Sequence, residues 1–186
     1  MHSSPVKDVK DARRSFIDQA RSFLCTDYLP KLERCLEQLN DEQIWWRPNE
    51  ESNSIGNLLL HLCGNARQWI VSGFGGAADA RVRQKEFDQR DIIRRGDLIH
   101  RLRATLGDVD TVLRDFDSDR LLEVHSIQGT EVTALEAIFH VTEHFSMHTG
   151  QIILLTKLLT ASDLHFYDFE GDVPSQRWRS DASRES

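Results

Sequence analysis

The sequence predicts an all-α protein, a bundle of four long helical segments. Apolar residues recur at steps of three and four along four separate stretches, the mark of helices that each bury one face. Helix-opening signals precede two of them, at Ser54 and at Thr133 with Glu136. Extended-strand character is confined to one short stretch, "LLEVHSIQGTEVT", where Val124, Ile127 and Val132 surround Gly129.

The first helix is expected over residues 6–39, with Phe16, Ala20, Leu24, Leu32 and Leu36 on its buried face. Pro30 falls inside it. A proline removes one backbone hydrogen bond and clashes with the preceding turn, so a kink is expected there. In "NDEQIWWRPNEESNS", Asn40 or Asp41 caps a short helical turn that Pro48 ends. Trp45 and Trp46 are adjacent and point in different directions, so one is expected to cover the core.

The second helix starts near Ser54 and runs through "IGNLLLHLCGNARQWIVSG", with Leu58, Leu62, Ala66 and Ile70 in its apolar stripe and His61 at the stripe's edge. "GFGGAADARVRQKEFDQRD" follows as a connection. Its glycines lack the G-K-[ST] and the preceding strand of a phosphate loop. Its mixed charges read as a solvated segment, with Arg81 and Arg83 as a lesser option for attracting an anionic substrate. The third helix covers about 92–116, with Leu102, Leu106, Val109 and Leu113 forming a seam of the kind bundles use. A small hairpin or extended excursion then leads to the fourth helix, about 134–159. One domain is expected over residues 1–170, followed by a polar, flexible tail at 171–186.

A formal net charge of −7 argues against nucleic-acid binding, which rests on a basic footprint. Apolar runs are too short to span a bilayer, and the N-terminus lacks the apolar core of a signal peptide. The three cysteines, Cys25, Cys35 and Cys63, are odd in number and form no C-x-x-C, which points to a reducing, cytoplasmic setting.

Chemistry concentrates in "HVTEHFSMHTGQ". On the fourth helix His144 and His148 share the inward face with Val141, Phe145 and Ile152. Side chains four apart lie one turn above each other and can hold one metal together. Buried imidazoles without partners are costly, and a metal satisfies both at once. His61, on the inward edge of the second helix, is the expected third ligand. His140 sits one turn above His144 but rotated away, as a supporting or core residue. With Glu143 it completes an H-x-x-E-H pattern of inverted zinc peptidases, which lacks a suitable downstream ligand here. His2, His100, His125 and His165 read as surface or loop residues, and Cys63 as a small buried one.

The stretches "WWRPNEESNSIGNLLLHLCGNARQWI", "EFDQRD" and "HVTEHFSMHTGQIILLTKLL" resemble the DinB-like (damage-inducible) metalloprotein superfamily, in a branch of unknown function; the likeness spans roughly residues 28–169. The resemblance implies a four-helix bundle, a divalent metal, zinc or nickel, held by His61, His144 and His148, and a homodimer. It also implies kinship with bacillithiol S-transferases and mycothiol-dependent maleylpyruvate isomerase, hence thiol S-transferase chemistry on a small-molecule substrate with a low-molecular-weight thiol. Three protein ligands leave a metal position open, the pattern of catalytic sites. The rival expectations are a non-catalytic, metal-binding, stress-related dimer and a metal-dependent hydrolase.

Overall fold

The structure, a computed structural model, describes residues 9–169 and 175–178 of the chain. It is mostly helical. The first expected helix is seen as α1 (Val9–Ser22) and α2 (Leu29–Glu37), joined by a π-helical stretch at Phe23–Tyr28. Pro30 gives the physical reason. It has no N–H to donate, and its ring crowds the carbonyl one turn back. The wider turns ahead of it change the register, so that the Leu29 N–H bonds to the Leu24 carbonyl, five residues back.

Asn40 opens the short helix α3 (Asp41–Trp45) with a reciprocal cap: its side chain accepts from the Gln43 N–H at 2.8 Å, and the Gln43 side chain accepts from the Asn40 N–H at 3.0 Å. Trp45 is the tryptophan that covers the core, donating from Nε1 to the Ile93 carbonyl at 3.0 Å, while Trp46 is exposed.

Ser54 caps α4 (Ile55–Ala66), which continues as a second π-helical stretch over Arg67–Ser72. Every residue from Ser54 to Cys63 is buried. The first turns of α4 therefore have no wet face, and any polar side chain there must find its partners inside. The segment expected as a solvated connection instead contains helix α5 (Arg83–Asp88), packed on α4. Helix α6 (Arg95–Asp115) follows, buried through Leu102, Leu106, Val109 and Leu113 as its spacing predicted.

The excursion before the last helix is a hairpin, β1 (Val124–Ile127) with antiparallel β2 (Thr130–Thr133), Ile127 opposite Thr130. Gln128 and Gly129 turn it with φ of 54° and 76°. Two successive left-handed residues make the turn whose twist matches the strands. Thr133 and Glu136 then form the expected capping box, and α7 runs over Ala134–Thr160.

Helix α6 packs against α1, α2 and α4, and α7 packs against α2, α4 and the first π-helical stretch. Leu24, Leu62, Leu106, Phe145 and Ile152 meet in the core between them. Beyond α7, β3 (Tyr167–Asp168) pairs with β4 (Ser175–Gln176) and delivers Trp178 to the core, where its Nε1 donates to Asp27 at 3.3 Å and Lys31 lies 3.9 Å above the ring. The rest of the tail expected at 171–186 lies outside the described residues. Among the described residues, no helix is long and apolar enough to cross a membrane.

Candidate metal centre

α4 and α7 pack side by side and bring His61, His144 and His148 together. Each offers a ring nitrogen, and these atoms lie within 4.8 Å of one another. The closest pair is His61 Nε2 and His144 Nε2, at 2.9 Å. Imidazole binds a divalent ion such as zinc at about 2.0–2.1 Å, which sets tetrahedral ligands about 3.3 Å apart. The separations observed here, from 2.9 Å up to 4.8 Å, bracket that spacing, so the donor set fits a metal ion.

The surroundings decide which nitrogens face inward. His61 Nδ1 lies 2.9 Å from Glu86 Oε2. Arg81 grips the same carboxylate with both arms, Nε to Oε1 at 2.8 Å and an Nη to Oε2 at 2.9 Å. Burial on its own raises the Glu86 pKa, but the hydrogen bonds from Arg81 and His61 outweigh it and hold the carboxyl below its usual range. An ionised carboxylate only accepts, so His61 Nδ1 donates its proton to Glu86 and Nε2 turns a lone pair inward. The Arg81 nitrogen 3.1 Å from that Nδ1 is also a donor and makes no bond to it.

Glu86 reaches His61 because α5 is strapped to α4. Asn57, fully buried on α4, donates to the backbone carbonyls of Glu86 at 2.7 Å and Gln89 at 3.1 Å. Gly64 leaves the space: a Cβ there would collide with Glu86 Oε1 and come within 2.9 Å of Arg81 Nε. Phe87, next along α5, sets its ring 4.7 Å from that of His61.

His148 is oriented by its own helix. Its Nδ1 lies 2.6 Å from Gln151 Oε1, three residues on, so Nδ1 donates and Nε2 keeps its lone pair. Burial lowers the His148 pKa. Burial, with the neighbouring imidazoles His148, His61 and His140 and with Arg81, lowers His144 further, to about 3. His144 is therefore neutral at pH 7. Without a cation, an Nε2–H on His144 satisfies the lone pair of His61. With one, His144 needs only its other tautomer to become a ligand.

His140 stays outside this group. Its Nε2 lies 3.1 Å from the Asn65 side-chain nitrogen and its ring 4.1 Å from that of Trp69. Glu143 is exposed, so the peptidase-like pattern gathers no site. His100 and His165 are exposed and His125 sits in the hairpin beside Phe74, while His2 lies outside the described residues. Cys63 is buried, and burial pushes its thiol up to about 11; the same holds for Cys25 and Cys35.

The residues missed by sequence reasoning are Glu86 and Gln151. Arg81 belongs to the centre through Glu86 rather than through a substrate, and it is almost fully covered. The one signal for Gln151 is its i+3 spacing from His148.

Solved structures share this fold. A DinB-like protein from Bacillus cereus ATCC 10987 aligns with a TM-score of 0.60 at 15% identity, over 77% of this chain and 90% of the other. One from Bacillus subtilis gives 0.60 at 16%, over 78% and 94%. A conserved protein from Enterococcus faecalis gives 0.59 at 16%, over 84% and 100%. No curated protein sequence matches significantly. Residues 11–168 match the family described as "Protein of unknown function (DUF1572)", and the chain belongs to that family.

Proposed function

We propose that the protein is a metal-dependent enzyme acting on small molecules, with thiol S-transferase-type chemistry at a divalent ion, zinc or nickel, held by His61, His144 and His148. The supporting observation is the set of three inward imidazoles, two of them turned metal-ready by Glu86 and Gln151. The reading includes a four-helix bundle, a homodimer and a cytoplasmic setting, which suits three unpaired cysteines.

A divalent cation bound there supplies Lewis acidity that favours the thiolate form of an incoming thiol. The chain's own part is to orient His61 through Glu86 and His148 through Gln151, and to wall the centre with Phe87. Glu86 is committed to Arg81 and His61 and is not free to take a proton from water. That favours thiol chemistry, whose nucleophile arrives with the co-substrate, over hydrolysis.

The test is metal analysis of the purified protein by mass spectrometry, then conjugation of low-molecular-weight thiols to chlorodinitrobenzene. Bound zinc or nickel with thiol-dependent turnover, both lost in His148→Ala, is the expected result. Metal without turnover by any thiol would make it a non-catalytic metal-binding protein instead. Full metal content in His61→Ala, His144→Ala and His148→Ala alike would remove the centre itself.

A further inference from the structure

The outward side of α7 is apolar where a solvated helix would be charged. Phe139, Met147, Leu154 and Leu158 are 61%, 46%, 58% and 66% exposed. At 100° per residue they fall on one side of the helix together with Glu143, Gly150 and Lys157. His144 and His148 project from other sides, toward α4. Four large apolar side chains on one open face mark an interaction surface rather than scattered exposure.

The face has a centre. A Cβ built on Gly150 meets nothing within 4 Å among the described residues, so no contact there accounts for the glycine, and an exposed glycine in a helix interior costs about 1 kcal/mol relative to alanine. Glu143 lies seven residues before Gly150 and Lys157 seven residues after it. Each is therefore about 10 Å along the axis from the glycine, in opposite directions. Neither charge forms an ion pair among the described residues.

From this we propose that α7 docks on α7 of a second copy, antiparallel, with the two-fold axis at Gly150. The inference rests on the homodimer of the reading above and adds its face. Under that symmetry each residue stands opposite the one equally far beyond Gly150 on the partner. Glu143 meets the partner's Lys157, and Lys157 meets the partner's Glu143. A two-fold interface must be self-complementary, and this arrangement of charges is. The glycines let the two backbones approach, so that Met147 packs beside the partner's Leu154 and Leu158 beside the partner's Phe139. An unrelated partner would need no such symmetry about the glycine.

Sedimentation velocity of the full chain at about 1–100 µM tests this, with metal content measured alongside as a check on the fold. The wild type sediments as a dimer. Leu154→Asp and Gly150→Gln, the latter a better helix former that blocks the axis, each weaken dimerisation at least about tenfold, with metal content unchanged. Glu143→Lys and Lys157→Glu each weaken it by less, and the two together restore it. A wild type that stays monomeric overturns the dimer and its face together while leaving the metal centre standing. A dimer indifferent to Leu154→Asp and Gly150→Gln overturns the face alone. A double charge reversal as weak as either single one overturns the register.

Discussion

His61 and His144 offer nitrogens 2.9 Å apart, yet the protein holds them in opposite ways. His61 is buried, its proton fixed by Glu86, which is fixed by Arg81, on a strap that Asn57 ties down and Gly64 makes room for. His144 is half-buried, and its hydrogen bond within this network is the one to His61 itself. One histidine is anchored by three layers of structure, and the other is free to change tautomer. Were the proposed ion bound here, the rigid side would set its position and the compliant side would adapt to it.

The largest test of that asymmetry removes ligands. His61→Ala and His148→Ala are expected to weaken zinc binding by more than about 100-fold, above the loss from outer partners. His144→Ala is expected to do the same, because compliance of a ligand does not make it dispensable. Competition against a chelating dye reads all three, and wild-type affinity in any of them would break the picture.

Next in size is the anchor. Glu86→Gln is expected to lose about 10–100-fold in zinc affinity, since an amide accepts more weakly from His61 than a carboxylate and does not neutralise Arg81. It also lowers the unfolding midpoint, because Arg81 is left buried beside a neutral group. Gly64→Ala separates these effects. Alanine favours the helix, and the Arg81 and Glu86 side chains can swing away from the new methyl group. Zinc affinity should fall toward that of Glu86→Gln while the fold survives, and the two changes together should cost little more than either alone. Additive losses would mean that Gly64 acts through something other than the ion pair.

The compliant side is read by pH. The pKa values of His144, His148 and His140 lie below that of a free imidazole, His144 at about 3. The unfolded chain therefore binds protons near pH 6.5 that the folded chain takes up only at lower pH. Stability of the metal-free protein rises with pH and is fully present above the unfolded value. It falls as pH drops below about 6.5, by at most about 1.4 kcal/mol per pH unit for each such proton. Urea midpoints at neutral and acid pH measure this, and His144→Phe should flatten the slope. A midpoint that rises on acidification would contradict it.

The smallest effect belongs to the outer partner of His148. Gln151→Ala is expected to cost zinc binding about tenfold, the low end for such a partner, because a water can take the proton that Gln151 takes. A loss as large as that of Glu86→Gln would show that both helices anchor their histidines equally.

The sequence made the inner layer of the centre legible and hid the outer one. His144 and His148 show their shared face through the spacing of Val141, Phe145 and Ile152, and Ser54 and Thr133 announce their helices through capping chemistry. The strap carries no such signal. "RVRQKEFDQR" has no apolar period, because α5 buries no residue of its own and is held through backbone carbonyls taken by Asn57. A contact between a side chain and a backbone 29 and 32 residues away leaves no trace in local pattern. The π-helical stretches are equally hidden: Pro30 marks strain but not the wider turns that relieve it.

The three cysteines carry a consequence for handling electrophiles. With thiols held up near 11, Cys25, Cys35 and Cys63 carry almost no thiolate at neutral pH. Self-alkylation is correspondingly slow. An electrophilic reagent offered at high concentration in an assay is therefore consumed little by the polypeptide's own thiols. Any rapid sulfur chemistry observed in such a mixture is then that of the added thiol.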